Sequence, residues 1–355
     1  MKVAIALSGG VDSSVAAYLL SKDCECIGCT MKLYDNDDIG ETREKTCCSL
    51  SDVEDAKSVA YRLGIPYYVF NYKDEFKKEV IDRFVNGYLS GETPNPCIDC
   101  NKYMKFGKLR KQAELLGCNY IATGHYAIIE KSGDRFLLKK GTDPTKDQSY
   151  VLYGMTQKEL ASTLLPLGHL SKKEVREIAE ENGFINARKK DSQDICFVPD
   201  GDYAGFIENY TGAISAPGDY IGTDGKPLGK HKGQIHYTIG QRKGLGVAFG
   251  KPQFVISKDI GTNTVVLGDE ENLFYKNVLV KDLNFIPFDD LSGDIRISAK
   301  IRYRHGEQPA ILHPVSENRA IIEFKTPQRA PAPGQSAVFY DGDTVVGGGI
   351  IEKGY

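Results

Sequence analysis

Residues Val3 to Ser14 read V-A-I-A-L-S-G-G-V-D-S-S, and no other stretch constrains the fold of the 355-residue chain as strongly. An apolar β-type run, Val3 to Leu7, stops at Ser8-Gly9-Gly10. A helical pattern then begins, with Val15, Ala16, Leu19 and Leu20 on one side. The pattern predicts a strand, a glycine turn and a helix N-terminus. Glycine lacks a Cβ, so the backbone can press against a ligand and take unusual dihedrals. Free N–H groups and the positive end of the helix dipole then face an anion such as phosphate. Ser8, Ser13 and Ser14 add hydroxyl donors. The stretch is not a Walker loop, because no Lys follows the glycines. An ordinary glycine turn is the plainer explanation; the position at a strand end, with Asp12 and Ser13 in register, speaks against it.

The chain is too long for one ordinary core, so two or three domains are expected. No apolar run approaches the length of a membrane span, and the N-terminus enters its first strand at once, so the expected location is the cytoplasm. Nine cysteines in a reducing compartment are to be read as catalytic or metal-binding before structural disulfides. A net charge of −3 argues against a globally basic nucleic-acid binder. It leaves room for a local basic stripe, since phosphate contacts are local.

Glu25 to Leu33 reads as a second strand, and Cys24, Cys26 and Cys29 beside it as small buried residues. A polar loop, Tyr34 to Cys47, follows. Ser51 to Leu63 reads as a helix with Ser51 as N-cap and Glu54 three residues on. Tyr67 to Phe70 is a third strand and Asp74 to Leu89 a helix. Strands alternating with helices predict a parallel sheet covered on both faces, with ligands at the carboxyl ends of its strands. Gly91 to Asn101, with two prolines, reads as an irregular loop, and Lys102 to Gly117 as a basic helix. Asn119 to Thr123 is a strand ending in Gly124-His125-Tyr126. Tyr126 to Lys140 is a hairpin, and Ser171 to Asn182 a capped helix stopped by Gly183.

Beyond about Tyr203 the character changes to short β-type runs with frequent Gly and Pro, which predicts an all-β barrel at the C-terminus. The expected class is α/β with a doubly wound parallel sheet, a small α+β connector and a β-barrel. The expected domains are residues 1–205, 206–270 and 271–355.

Cys97, Cys100 and Cys196 stand apart from the other cysteines. A Cys-x-x-Cys is half a zinc site, but the second pair of a ribbon is missing. A thioredoxin-like pair belongs at the first strand–helix junction, which the glycine loop already occupies. Thiolates are the reactive form, and Lys102 and Lys190 stand near these cysteines in sequence.

The loop S-G-G-V-D-S resembles the pyrophosphate-binding loop of the PP-loop ATP pyrophosphatases. With it come N-P-C-I-D-C-N-K-Y-M-K-F, T-G-H-Y-A, K-D-Q-S-Y-V-L, S-Q-D-I-C-F, G-Q-R-K-G-L-G and K-I-R-Y-R. Together, and in this order along essentially the whole chain, they resemble the tRNA-specific 2-thiouridylases of the MnmA/TrmU type. The resemblance implies ATP-dependent conversion of the C2 carbonyl of the wobble uridine, U34, into a thiocarbonyl. Cys196 would carry a persulfide, and Cys100 would release the sulfur and end in a disulfide with Cys196. ATP would be held by Ala6, Leu7, Ser8, Gly9, Gly10, Val11, Asp12 and Ser13, with Met31 and Gly124 on the adenosine side. Asp12 would be the Mg²⁺ ligand. Asn95, Pro96 and Cys97 would line the pocket for the target base, which must leave its stack before attack.

The resemblance further implies that His125, Lys146, Asp147, Gln148, Arg302, Tyr303 and Gln335 contact tRNA. The substrates would be wobble-uridine tRNAs of the Lys, Glu and Gln types, and a cysteine desulfurase or sulfur-relay protein would supply sulfur. Many members carry Asp where this chain has Cys97. Cys97, Cys100 and Cys196 together therefore raise a second route, in which a [4Fe–4S] cluster with one open iron delivers the sulfide. An inactive nucleotide- and RNA-binding module is the alternative outside enzymes. It would call for a damaged loop or missing cysteines, and the chain has neither.

Overall fold

The computed structural model describes residues 1–35, 50–189, 195–247 and 250–355. Most of the loop expected from Tyr34 to Cys47, Lys190, and the first residues of the S-Q-D-I-C-F motif lie outside the described residues. The chain packs as two compact units. One comprises Met1–Ile81, Pro96–Gly201 and Asp343–Val346, and the other Asp82–Asn95, Asp202–Gly342 and Gly347–Tyr355.

The first unit is built on a five-stranded parallel sheet. Its strands are β1 (Lys2–Ala6), β2 (Glu25–Lys32), β3 (Tyr67–Asn71), β4 (Tyr120–Ala122) and β7 (Thr163–Leu164), in the order β3-β2-β1-β4-β7. A hairpin of β5 (Ala127–Ser132) and β6 (Arg135–Lys140) turns at Gly133, and Lys139 of β6 pairs with Thr344. Residues of both side-chain parities are buried along β1 and β2, as expected of a sheet covered on both faces. Burial pushes the thiols of Cys26 and Cys29 up to about 11 and about 12, which marks them as inert packing residues.

Helices α1 (Val11–Ser21), α2 (Leu50–Leu63), α3 (Lys73–Phe76), α5 (Pro96–Asp99), α6 (Arg110–Leu115), α7 (Gln157–Ala161) and α8 (Lys172–Glu181) belong to this unit. One core cluster joins Val3, Ile5 and Leu7 of the first strand region to Ala17 of α1 and Ala56 and Ala60 of α2. A second joins Val11 and Val15 of α1 to Val175 and Ala179 of α8. Ser171 caps α8 in a reciprocal capping box with Glu174, and Gly183, at φ +61°, ends the helical stretch.

Two local expectations are corrected. Helix α2 begins at Leu50, so Ser51 lies inside its first turn and is not its cap. The Pro-rich loop ends sooner than expected. Pro96 opens α5, a place proline suits because its missing N–H would be unsatisfied there anyway. Cys97 is therefore helical. Cys100 follows as the first residue of a π-helical segment, Cys100–Leu109, which runs on into α6.

The second unit holds α4 (Asp82–Leu89) and α9 (Tyr203–Thr211). Its four-stranded sheet has the order β10-β11-β8-β9. Those strands are β8 (Gly218–Gly222), β9 (Pro227–His231), β10 (Phe254–Asp259) and β11 (Thr264–Gly268). The remaining strands are β12 (Phe274–Phe285), β13 (Ile295–Lys300), β14 (Gln308–Ser316), β15 (Arg319–Arg329), β16 (Ser336–Asp341) and β17 (Thr344–Gly354). They follow the order β12-β15-β14-β13-β16-β17, and β17 pairs back with β12 to close a six-stranded barrel. The class expected from the sequence is the one observed. No helix among the described residues is long and apolar enough to cross a membrane.

Candidate active site

In the first unit β2 and β3 lie on one side of β1 and β4 on the other. The chain reverses its direction of growth between β1 and β4, and open α/β sheets place ligands at such a crevice, beyond the carboxyl ends of the strands. The Ser8–Ser14 loop follows β1, and Thr123-Gly124-His125 follows β4. The two meet. A Cβ added at Gly124 would lie 2.7 Å from both the Asp12 carbonyl carbon and the Ser13 nitrogen, so only glycine fits.

The glycine loop is held by its own hydroxyls. Ser13 donates to the Gly10 carbonyl at 2.9 Å, Ser14 to the same carbonyl at 3.1 Å, and the Ser8 N–H to Ser13 Oγ at 3.2 Å. Gly9 has φ +73°, and a Cβ there would come within 2.4 Å of the Asp52 carbonyl oxygen. Ser8 is exposed, while Gly9, Val11, Ser13 and Ser14 are buried. Ala6 ends β1 half-buried, and Leu7 is in the core. Met31 is buried in β2 opposite Phe70 of β3.

Asp12 does not stand alone. Lys172 donates its ammonium to both carboxylate oxygens, at 2.8 and 2.9 Å, and the Tyr126 hydroxyl donates to Oδ1 at 2.6 Å. Gln148 holds Tyr126 in turn. Its side-chain oxygen accepts from the Tyr126 N–H at 3.0 Å, and its N–H donates to the Tyr126 carbonyl. Asp147 accepts from the N–H groups of Gly141 and Ser149 and from the Ser149 hydroxyl. Asp147 and Gln148 are thus internal ties of the loop beside Asp12, and Lys146 next to them is half-buried.

His125 is buried, and both ring nitrogens are engaged. Thr123 Oγ1 lies 2.7 Å from Nδ1, and the Lys105 ammonium 3.4 Å from Nε2. An ammonium only donates, so Nε2 accepts and the proton sits on Nδ1. Burial, and secondly the Lys105 charge, hold the imidazole well below its usual pKa, so it is neutral.

Cys97 is exposed, and Cys100 and Cys196 are half-buried; all three belong to the first unit. Tyr34 donates its hydroxyl to the Cys196 carbonyl at 2.8 Å, and Phe197 packs edge-on against Phe76. No disulfide forms among the described residues. Nor, among those residues, does any group of three Cys, His, Asp or Glu side chains lie close enough to hold a metal ion. Cys97, Cys100 and Cys196 are not drawn together here as one set of three metal-holding thiols. Pro96 is buried before Cys97.

In the second unit Asn95 is half-buried, and Gln335 donates its amide to the Thr93 carbonyl two residues earlier. Arg302 turns inward and donates to the carbonyls of Ile239 and Ala330 at 2.9 and 3.0 Å, whereas Tyr303 and Arg304 are exposed. Arg242 and Lys243 are exposed in the Gly240–Gly246 run.

Three site residues carry no local signal in the sequence. They are Lys172 on Asp12, Asn186 on Gly9, and Lys189, which bridges Asp52 and Asp55 at 2.6 Å each. Lys189 is half-buried, and its neighbour Arg188 is exposed. Both are in ion pairs here, Arg188 with Glu180.

Three family models cover most of the chain: a tRNA methyl transferase HUP domain over residues 1–200, a tRNA methyl transferase PRC-barrel domain over 204–269, and an aminomethyltransferase beta-barrel domain over 275–351. The tRNA-specific 2-thiouridylase MnmA of Clostridioides difficile (strain 630) is 54% identical over 99% of this chain and 98% of its own length. The proteins of the same name from Clostridium acetobutylicum and Acetivibrio thermocellus are each 52% identical, over 99% of both chains. By its glycine loop, its barrel and this full-length likeness, the chain belongs to the tRNA-specific 2-thiouridylase family.

Proposed function

We infer that this chain is a tRNA sulfurtransferase, which uses ATP to replace the C2 oxygen of the wobble uridine, U34, with sulfur. The observation that carries the reading is a hydroxyl-braced glycine loop at the strand-order reversal, with Gly124 pressed against it, in the same unit as Cys100 and Cys196.

An amide-like oxygen is a poor leaving group. The C2 oxygen attacks the α-phosphorus, the bond to the β-phosphate breaks, and pyrophosphate leaves. Backbone N–H groups from Ser8 to Ser13 and the start of α1 stabilise charge on the phosphates. Magnesium, when bound, neutralises phosphate charge, and Asp12 would hold it: one carboxylate beside substrate phosphates suits that ion. The Lys172 ammonium, which donates to both Asp12 oxygens, is consistent with that reading in showing that the carboxylate accepts a cation.

The terminal sulfur of a Cys196 persulfide then attacks C2, and AMP departs with the original oxygen. The Cys100 thiolate attacks the Cys196 sulfur. The S–S bond to the transferred sulfur breaks, the thiocarbonyl is released, and a Cys100–Cys196 disulfide remains for an external thiol to reduce. Asn95, Pro96 and Cys97 receive the flipped base, and Met31 with Gly124 the adenosine. We assign tRNA contacts to His125, Lys146, Asp147 and Gln148 in the first unit, and to Arg302, the exposed Tyr303 and Gln335 in the second. Sulfur comes from a cysteine desulfurase or relay protein in the cytoplasm. The substrates are wobble-uridine tRNAs of the Lys, Glu and Gln types. Residues 1–205 are the catalytic domain, 206–270 the connector and 271–355 the barrel.

The test is incubation of the full chain with ATP, magnesium, a persulfide donor and a wobble-uridine tRNA, followed by nucleoside mass analysis. Thiouridine at the wobble position is expected only with ATP. Thiolation that ignores ATP would sink the reading.

A further inference from the structure

Asp12 projects from the first turn of α1, and a cation is already seated on it. Lys172 touches both carboxylate oxygens, and its side chain is only 11% exposed. Both partners are anchored from behind. Lys172 is the first residue of α8, and its N–H donates to Asp143 at 3.0 Å. On the other side Tyr126, fixed by Gln148, shares Asp12 Oδ1.

A purely structural ion pair would serve to pin α8 to α1. That pin is redundant here, because Val175 and Ala179 of α8 already pack against Val11 and Val15 of α1 in a buried cluster. The pair also sits at the mouth of the glycine loop, next to Ser13, where phosphate is expected. Removing one partner from a sheltered ion pair leaves the other charge uncompensated. A metal ion that takes Asp12 displaces the ammonium, and a nucleotide delivers phosphate oxygens for it together with the metal.

We propose that Lys172 is a nucleotide-responsive cation: the counter-ion of Asp12 in the empty loop, and a ligand of the pyrophosphate half of ATP once magnesium takes the carboxylate. This rests on the loop being the ATP site. No bond is made or broken in the exchange. The ammonium trades carboxylate oxygens for phosphate oxygens, so a positive charge faces the pyrophosphate as it leaves. Two consequences follow. Lys172 adds affinity for the phosphates, and it competes with magnesium for Asp12.

The experiment uses the full chain and α,β-methylene-ATP, which cannot be cleaved at the α–β position. Calorimetric titrations are run without metal and across a magnesium series, for the unaltered protein, Lys172→Met and Lys172→Arg. Loss of a charge-assisted contact should weaken metal-free binding to Lys172→Met on the order of tenfold. The same variant should need several-fold less magnesium for half-maximal enhancement of binding, because no ammonium competes for Asp12. Lys172→Arg should recover most of the metal-free affinity. Unchanged affinity and unchanged magnesium dependence in Lys172→Met would reduce Lys172 to a structural pin and overturn the proposal. If that variant fails to fold, a Lys172→Gln variant with unaltered metal-free affinity and unaltered magnesium dependence does the same. Failure of the unaltered protein to bind the analogue at all would overturn the ATP reading itself, and this proposal with it.

Discussion

Asn186 donates its side-chain amide to the carbonyl of Gly9 at 2.9 Å and to Ser14 Oγ at 2.9 Å. The residue is 2% exposed, and it lies ten positions before Cys196. The segment leading to the proposed sulfur carrier is thus tied to the peptide that shapes the nucleotide loop. Gly9 can take that shape only as glycine, given its positive φ and the Asp52 carbonyl beside it.

Asn186→Ala should therefore act on nucleotide use. Losing two buried hydrogen bonds leaves the Gly9 carbonyl without its donor, and each such loss is worth about 1 kcal/mol. The expected outcome is a KM for ATP raised roughly tenfold, read from tRNA-dependent pyrophosphate release, with KM for tRNA unchanged. A variant with normal ATP saturation would show that the tie is only a packing contact. Gly9→Ala should abolish pyrophosphate release outright.

The two thiols should separate from the nucleotide chemistry. Cys100→Ser and Cys196→Ser are each expected to abolish thiolation while tRNA-dependent pyrophosphate release survives. Adenylation uses the loop after β1, and sulfur transfer uses the cysteines. Paired measurement of pyrophosphate and thiouridine on the same samples checks this. A serine variant that thiolates at near-normal rate removes that cysteine from the mechanism.

Arg302 and Arg304, two residues apart, should behave differently. Arg304 is exposed, and if it meets a phosphate, Arg304→Ala should lower the slope of log K against log[salt] by about one. Arg302 instead ties the carbonyls of Ile239 and Ala330. Its replacement by Ala should destabilise the second unit by about 1–3 kcal/mol, seen as a lower melting midpoint. Titrations of tRNA binding at several salt concentrations, beside melting curves, test both arms. Equal salt slopes and equal stabilities would refute the division.

What the sequence made legible was local chemistry. The strand, glycine turn and helix at Val3–Ser21, the Ser171 capping box and the Gly133 hairpin each follow from residues a few positions apart. The misses also have physical causes. Strand β14 contains Pro309 and Pro314, which usually argue against a strand. Strands β8 and β9 carry Gly218, Gly222 and Gly229, which blur any alternation. Two prolines near Cys97 signalled a loop, although Pro96 opens a helix. The pairings that finish the site, Lys172 with Asp12 and Asn186 with Gly9, span 160 and 177 positions. Their residue types have no periodicity or turn chemistry to betray them, so the fold alone could bring them forward.

His125 makes stability depend on pH. Its ring is neutral in the folded chain, because burial and Lys105 hold its pKa well below the usual value, near 6.5 for an exposed histidine. The unfolded chain therefore binds one more proton at this residue as pH falls below about 6.5, and stability falls with it until the folded-state pKa is reached. A protonated ring would also aim an Nε2–H at the Lys105 ammonium. The contribution is a slope of about 1.4 kcal/mol per pH unit within that window. His231, His236 and His305 have depressed pKa values too, mainly through burial, so the slope of the whole protein is larger. His125→Gln removes one titrating ring. Denaturant unfolding between pH 7.5 and 5.5 should therefore give the variant a shallower loss of stability, by about one proton's worth. Its stability at pH 7.5 should be lower than that of the unaltered chain, because the Thr123 and Lys105 contacts are disturbed. Identical pH slopes for the two proteins would mean that the imidazole takes up its proton equally in the folded and unfolded chains, contrary to the lowered pKa that burial and Lys105 give it.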